Sequence, residues 1–203
     1  MSKEYLPYNT VRNNALKLAH RIHGDGFLPD VIYVSLRGGA YLGNVISEYF
    51  KMVRTEQRPV FYAAVVARSY SDIHKRENVM VDGWTYSPEY LRSGDKVLLV
   101  DDIFDSGRTV NHLVQVILEK GIPRKDIKVA VHDYKIRTFH QENLPIHPDY
   151  YCRKHIIEDP KDDRWIHYMS HELVGLTHDE ISAQYGEDRE IVSILKQITP
   201  SRK

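Results

Sequence analysis

The sequence lacks the features of a secreted or membrane-embedded protein. It contains one cysteine, Cys152, in 203 residues, so an internal disulfide cannot form, and a free thiol suits a reducing compartment. No apolar run approaches the roughly 18 residues that a membrane span needs. Residues 1–10 carry charge and proline where a signal peptide would have an apolar segment. These absences predict a cytoplasmic protein that does not engage a membrane.

The chain also has no excess of charge of either sign. Lys and Arg total 28, and Asp and Glu total 28, which argues against a broad electrostatic surface for nucleic acid. The nucleotide-binding patterns GxxxxGK and GxGxxG are both absent. The 11 histidines are scattered, and His167 and His171 have helical spacing without an evident third ligand. A zinc site is therefore not expected.

The most informative stretch of the sequence runs from Val97 to Thr109. Its apolar residues 97–100 predict a buried strand, and acids, hydroxyls and a glycine follow at once. Apolar residues then recur at spacings of three and four as far as Leu118, which is typical of a helix. Free backbone N–H groups and the positive end of the helix dipole meet where such a helix begins. The stretch therefore favours a phosphate ligand.

The acids of this stretch need a second explanation. Asp101, Asp102 and Asp105 would repel a phosphate unless sugar hydroxyls or a divalent cation balanced their charge. We therefore predict a ligand that carries a phosphate and sugar hydroxyls and that binds together with Mg²⁺.

A second strand, loop and helix precede this one. Residues 31–34 predict a short buried strand, and a helical pattern runs from Ala40 to about Val53. Between them, Arg37 supplies a charge suited to phosphate. The paired glycines Gly38 and Gly39 can bring backbone amides close to a ligand.

Short apolar strands separated by helices predict an α/β fold with a mainly parallel sheet flanked by helices. Further strands are predicted at 59–67, 127–131 and 148–152, and the polar segment 68–83 predicts a long loop or a loose hairpin.

In such sheets ligands bind beyond the carboxyl ends of the strands. Arg37, the 101–109 loop and Lys135 should therefore lie at one edge of the sheet. After Val174, a capping-box pattern at Thr177–Glu180 and helical spacing of apolar residues predict two short C-terminal helices.

These motifs together resemble the type I phosphoribosyltransferases. The stretch from Val97 to Thr109 is similar to their phosphoribosyl-pyrophosphate motif, with its paired acids and its Asp-Ser-Gly-Arg-Thr loop. Other sites resemble the 6-oxopurine (hypoxanthine, guanine, xanthine) subfamily, over roughly residues 10–172. They are the pyrophosphate loop Leu36-Arg37-Gly38-Gly39, the Ser69-Tyr70 pair of the mobile catalytic loop, the base-binding Lys135, and the base-stacking aromatic with its neighbour, Trp165-Ile166.

The resemblance implies a Mg²⁺-dependent enzyme of purine salvage. It would transfer the ribose phosphate of phosphoribosyl pyrophosphate to a purine nitrogen, release pyrophosphate and form IMP, GMP or XMP. Asp101 and Asp102 would bind the ribose hydroxyls directly or through Mg²⁺, and Glu172 would help to hold a second Mg²⁺. Asp105 would act as general base near the purine N7. The 5′-phosphate would lie in a cradle of Asp105, Ser106, Gly107, Arg108 and Thr109.

The remaining sites have implied roles of the same kind. Arg37 and the amides beside it would neutralise the departing pyrophosphate, and the loop around Ser69 and Tyr70 would close over the activated sugar. Lys135 would donate a hydrogen bond to the purine O6. Trp165, next to Ile166, would stack on the purine ring.

The resemblance also implies an organisation for the chain. Residues 1–172 would form the phosphoribosyltransferase domain with a small hood, and 173–203 would form a helical C-terminal extension. A homodimer or homotetramer is expected from the family. The segment that follows Glu172 lacks an arginine that some members use to bind pyrophosphate.

Two other functions stay open at this point. The same fold can serve as a nucleotide-sensing regulator that binds nucleic acid, with the C-terminal helices as a binding appendage, although the neutral charge counts against it. Alternatively, a phosphoribosyltransferase of this fold could act on another base, such as uracil or orotate. Lys135 and Trp165 disfavour that choice.

Overall fold

The computed structural model describes residues 2–55, 58–72, 75–140 and 144–200, with the backbone alone for 68–72 and 75–78. The chain forms two compact units. One comprises Asn9–Asp163, and the other joins the N-terminal residues as far as Tyr8 to the chain from Arg164 onward. No helix in the described ranges is long and apolar enough to span a membrane.

The elements alternate between strands and helices through most of the chain. In order they are β1 (Lys3–Leu6), α1 (Tyr8–Gly24), β2 (Val31–Leu36), α2 (Gly39–Val53), β3 (Phe61–Asp72), β4 (Lys75–Trp84), β5 (Val97–Phe104), α3 (Arg108–Glu119), β6 (Ile127–Arg137), β7 (Tyr150–Ile157), β8 (Trp165–Tyr168), α4 (His178–Tyr185) and α5 (Arg189–Ile198).

The larger unit is built on a six-stranded sheet with the order β4-β3-β2-β5-β6-β7. Strands β2, β3, β5, β6 and β7 run parallel to one another, and β4 pairs antiparallel with β3 at the edge of the sheet. The predicted α/β fold with a mainly parallel sheet is therefore confirmed. Because the strands are parallel, the loops that follow β2, β5 and β6 leave from the same edge.

Helices cover both faces of this sheet. Val97 and Leu99 of β5 pack in the cluster that includes the buried face of α3. Leu98 and Val100 pack with α1 and α2 on the other face. Successive strand residues point to opposite faces, so a central strand covered on both sides must be apolar at every position. This explains the uninterrupted run at 97–100.

The polar segment after residue 67 forms a hairpin. Strand β3 continues to Asp72 and pairs with β4, with a register shift between Val66 and Ala67. The sequence allowed a long loop or a loose hairpin here, and the backbone adopts the hairpin. Val81 and Trp84 of β4 both pack against the main apolar cluster, and the register shift between them breaks the period of two, which is why the sequence lacks a strand-like period.

The smaller unit combines both ends of the described chain. Strands β1 and β8 pair in parallel, and Leu176, Ile181 and Leu195 pack a small core with α4 and α5. Both predicted C-terminal helices are present, and Thr177 and Glu180 form the predicted capping box. The assignment of 1–172 as the functional domain and 173–203 as an extension stays a prediction.

Glu180 also ties β1 to α4 within this unit. The Lys3 ammonium lies 2.8 Å from its carboxylate. Burial alone would raise the pKa of Glu180, but hydrogen bonds from Lys3 and from the Thr177 backbone N–H outweigh it and lower the pKa to about 2.

Candidate active site

The acid pair lies at the carboxyl end of β5. The backbone N–H of Asp102 donates to Asp101 Oδ1 at 3.0 Å, and the N–H of Ile103 donates to Asp102 Oδ1 at 2.8 Å. Burial and the neighbouring charge of Asp102 raise the pKa of Asp101 well above its ordinary value, against hydrogen bonds from Asp102 N–H and Ser35. The site thus holds two carboxylates whose repulsion a cation or hydroxyl donors would relieve.

The loop after β2 lies directly against this acid pair. A Cβ at Gly38 would overlap the Asp102 carboxylate, and a Cβ at Gly39 would stand 2.6 Å from the Val100 carbonyl oxygen. Arg37 is exposed beside them, and the Leu36–Arg37 peptide bond is cis. The paired glycines therefore permit a close approach of the two loops, and the role of their amides in binding a ligand stays a prediction.

Replacing Gly39 by alanine is expected to destabilise the protein by about 1–3 kcal/mol, in the range of overpacking. The new methyl group would meet the backbone of β5 at Val100 and Asp101, which cannot rotate away. Urea denaturation would measure the loss. Gly24→Ala is the matched control, because nothing lies within 4 Å of its added Cβ. Equal stabilities of the two variants would contradict the close approach.

The 105–109 loop turns sharply from β5 into α3. Gly107 has φ of +81°, and a Cβ there would overlap the Phe104 ring. The Asn111 side chain donates to the carbonyl oxygens of Gly107 (3.0 Å) and Ile146 (2.9 Å) and accepts from the Ile146 N–H at 2.9 Å. The loop is therefore held in shape where α3 begins, and the first amides of a helix can bind an anion.

A continuous chain of charged side chains runs across the end of β6. Lys135 Nζ donates to Asp163 Oδ1 at 2.7 Å, and Arg137 Nε donates to Asp163 Oδ2 at 2.6 Å. Arg137 also donates through Nη2 to Asp105 Oδ1 at 2.6 Å. Lys135 and Asp163 are 7% and 8% exposed, respectively, so this ion pair is shielded from water. The structure thus brings the predicted base-binding lysine and the predicted general base into one network.

Sequence reasoning missed Arg137 and Asp163. Arg137 stands two residues after Lys135 on the same strand, so the period of two was a signal that both cations share a face. Asp163 lies outside the strands, after the short 3₁₀ helix Pro160–Asp162, and no local pattern pointed to it. Hydrogen bonds on both carboxylate oxygens hold the pKa of Asp163 below its usual range, although burial opposes this shift.

Lys135, Arg137 and Asp105 of this network lie in the wall of an open pocket. Ser106 of the 105–109 loop lines the same pocket, together with aromatic and histidine side chains. The lining residues are Phe104, Asp105, Ser106, Tyr134, Lys135, Ile136, Arg137, His140 and His147.

The other predicted site residues are placed as follows. Ser69 and Tyr70 have their backbone in β3, opposite Val79 and Asn78 of β4, and their side chains lie outside the described residues. In the smaller unit, Trp165 is 53% exposed and Ile166 is 5% exposed. Glu172 accepts a hydrogen bond from the Trp165 indole. The ligand roles of these five residues stay predictions.

The sheet is mainly parallel, and the loops with Gly38–Gly39, Asp101–Asp102 and residues 105–109 follow the carboxyl ends of its strands. This is the architecture of the type I phosphoribosyltransferases. The sequence model of the phosphoribosyl transferase domain matches residues 2–167, and the chain belongs to this family.

The relatives that match this sequence carry two different descriptions. The bifunctional protein PyrR of Brevibacillus brevis is 30% identical over 142 residues, which cover 69% of this chain and 75% of the relative. The xanthine phosphoribosyltransferase of Bifidobacterium adolescentis is 26% identical over 149 residues, covering 60% and 76% of the two chains. Among solved structures, the purine phosphoribosyltransferase of Pyrococcus horikoshii superposes with a TM-score of 0.63 at 22% identity, covering 85% of this chain and 95% of that one.

Proposed function

We propose that the protein transfers the 5-phosphoribosyl group of phosphoribosyl pyrophosphate to a 6-oxopurine. Hypoxanthine, guanine or xanthine would be the acceptor, with release of pyrophosphate and formation of IMP, GMP or XMP in purine salvage. The similarity to a xanthine phosphoribosyltransferase supports this assignment. The observation that carries it is the buried Lys135, whose ammonium is held by Asp163 in the same pocket as Asp105 and Ser106.

Lys135 suits an oxo group on the base and not an amino group. Its ammonium has three N–H donors and no acceptor, so it can donate to O6 of a 6-oxopurine but can accept nothing from the amino group of adenine. Asp163 fixes the direction of the ammonium at 2.7 Å. A charged donor held in a shielded position favours a neutral base that carries a carbonyl oxygen.

The other residues divide the remaining chemistry. The amides of 105–109 would bind the 5′-phosphate, and Arg37 with Gly38 and Gly39 would bind the pyrophosphate, whose negative charge grows as the bond to the ribose breaks. Asp105 would take the proton from the purine ring nitrogen. Trp165 would stack on the base, next to Ile166, and the segment with Ser69 and Tyr70 would shield the activated sugar from water.

Asp101 and Asp102 also fit a role as Mg²⁺ ligands. Their oxygens are the hard donors that Mg²⁺ prefers, and the raised pKa of Asp101 reflects, after burial, the repulsion that a cation would relieve. No cluster of three or more His, Cys, Asp and Glu side chains in the described ranges could hold a metal by itself, which suits an ion bound by one or two carboxylates together with substrate oxygens. Bound Mg²⁺ would stabilise the charge of the leaving pyrophosphate.

A second candidate has a specific observation behind it. The Brevibacillus brevis relative is described as a bifunctional protein PyrR and not as a purine phosphoribosyltransferase. Two alternatives from the sequence therefore stay open, transfer to another base such as uracil or orotate and a nucleic-acid-binding regulatory role. Uracil also carries a ring oxo group that Lys135 could bind, so this residue by itself does not separate the two classes of base.

One assay separates these functions. Purified protein is given Mg²⁺ and phosphoribosyl pyrophosphate, and pyrophosphate release is followed with hypoxanthine, guanine, xanthine, adenine, uracil and orotate in turn. The proposal requires turnover with at least one 6-oxopurine and little with adenine. Turnover with uracil or orotate alone would replace it, and a salt-dependent mobility shift with RNA or DNA would support the regulatory role.

Lys135→Ala is expected to raise the KM for the base by roughly tenfold to a hundredfold, the loss of one hydrogen bond to a charged group. The KM for phosphoribosyl pyrophosphate should change little. Steady-state kinetics with the preferred base measure both. Lys128→Ala is the matched control, because Lys128 lies at the opposite end of β6 and pairs with Asp149. An unchanged base KM in Lys135→Ala would reject the assigned contact.

A further inference from the structure

Trp165 combines an exposed ring with a fixed edge. The residue opens β8 and is 53% exposed, yet its indole N–H donates to Glu172 Oε2 at 3.1 Å. Indole nitrogen is a donor only, so this bond fixes which edge of the ring faces the protein. The flat face of the ring stays available to a partner.

Glu172 is itself held from a second side. The Nδ1 atom of His167 lies 3.2 Å from the same Oε2 oxygen, and the Glu172 backbone N–H donates to the Tyr168 carbonyl at 2.9 Å. His167 is 1% exposed. A carboxylate oxygen can only accept, so we assign the ring hydrogen of His167 to Nδ1, where it faces Glu172. One carboxylate oxygen therefore receives two N–H bonds.

We propose that Glu172 is a positioning residue that holds the indole of Trp165 as a rigid face for the base. This inference rests on the proposed function, in which the base stacks on Trp165. It replaces the role of second Mg²⁺ ligand that the family resemblance implied for Glu172. The Glu172 oxygen nearest the indole is committed to two protein donors, Trp165 and His167, and is therefore poorly placed to serve a cation.

Two substitutions of Glu172 separate the two roles. In Glu172→Gln the amide oxygen can still accept both N–H bonds, whereas a neutral amide is a much weaker Mg²⁺ ligand than a carboxylate. Glu172→Ala removes both functions. An exposed acid of the same unit, Glu187, provides the control variant Glu187→Ala.

The positioning role predicts a split between these variants. Glu172→Ala should raise the base KM about tenfold, the loss of one charge-assisted hydrogen bond. Its kcat and the Mg²⁺ concentration for half-maximal rate should stay within about twofold. Glu172→Gln should restore the base KM to within about threefold of the parent value. Equal losses in both variants, with a raised Mg²⁺ requirement, would overturn the proposal in favour of metal binding.

A readout without turnover keeps this test separate from the test of the proposed function. The chain has two tryptophans, so Trp84→Phe leaves Trp165 as the sole emitter. In that background, Glu172→Ala should lower the fluorescence anisotropy and the near-ultraviolet circular dichroism of Trp165, and Glu172→Gln should restore both. Unchanged signals in Glu172→Ala would reject the positioning role even in an active enzyme. Absence of turnover with every 6-oxopurine, with these signals as expected, would reject the proposed function alone.

Discussion

Replacing Asp105 by asparagine is expected to lower kcat about 10²-fold or more, in the range for the loss of a general base. The carboxylate is half exposed at 51% and points into the pocket that also contains Lys135. Asparagine keeps the size of the side chain and can still accept a hydrogen bond, but it has no basic oxygen to take a proton. Single-turnover measurement of base consumption would report this loss directly.

The ion pair with Arg137 provides an internal comparison for this variant. Arg137→Gln removes the 2.6 Å contact to Asp105 but leaves the carboxylate in place. It should therefore reduce kcat less than Asp105→Asn does. Asp25→Asn is the control. Asp25 is an exposed acid between α1 and β2, so it lies near the amino ends of the parallel strands and not near the carboxyl ends, where Asp105 lies. Wild-type kcat in Asp105→Asn would remove Asp105 from the mechanism, and a larger loss in Arg137→Gln would assign the main role to the cation.

Replacing Asp133 by asparagine is expected to lower the free energy of unfolding by about 3 kcal/mol, the low end for breaking a buried ion pair. Asp133 is fully buried, and its carboxylate lies 2.7 Å from His132 Nδ1, 2.6 Å from Arg153 Nε and 2.6 Å from His155 Nε2. Arg153 and His155 can still reach water after the change, which limits the loss. Urea denaturation at pH 7 measures it.

The contribution of Asp133 to stability should also depend on pH. Burial would raise the pKa of Asp133, but hydrogen bonds from His132, His155 and Arg153 hold it far below the ordinary value. A carboxylate with a depressed pKa contributes stability above its unfolded pKa of about 4 and loses it as pH falls further. The stability difference between the parent protein and Asp133→Asn should therefore be full at pH 7 and should shrink below about pH 4.

The control for both measurements is Asp162→Asn, an exposed acid at the end of a 3₁₀ helix. Its effect should stay within about 0.5 kcal/mol at both pH values, as for ordinary surface changes. A difference between the parent and Asp133→Asn that did not change with pH would contradict an ionic origin of the stabilisation.

Features of the site that depend on contiguous residues could be predicted from the sequence. The stretch from Val97 to Leu118 could be assigned to a strand, a polar loop and a helix, because each of these depends on neighbouring residues. The apolar run, the polar turn and the period of three and four are contiguous in the chain. Gly38 and Gly39 gave a comparable signal. The structure adds that both lie against β5, within 3 Å of Asp102 and Val100 for an added Cβ.

The hairpin of β3 and β4 could not be predicted with certainty from the local sequence pattern. Strand β4 pairs with β3 and packs Val81 and Trp84 against the main apolar cluster, but the register shift between these two residues breaks the period of two that a regular strand would show.

What only the tertiary structure decided is how the charges are paired. Asp163 lies 28 residues from Lys135 and 26 from Arg137, and Arg137 lies 32 residues from Asp105. Such pairs form only when the parallel strands bring separate loops together at their carboxyl ends, and a local sequence pattern does not show which loops will meet.

For the same reason the sequence could propose Glu172 as a metal ligand, whereas its contacts with Trp165 and His167 appear only in the folded smaller unit. The sequence alone determined the fold class and the order of strand, loop and helix in residues 97–119, because both depend on residues that are contiguous in the chain. The partners of each charged group were decided by the folded chain, because burial makes an unpaired charge costly and the topology determines which charges can meet.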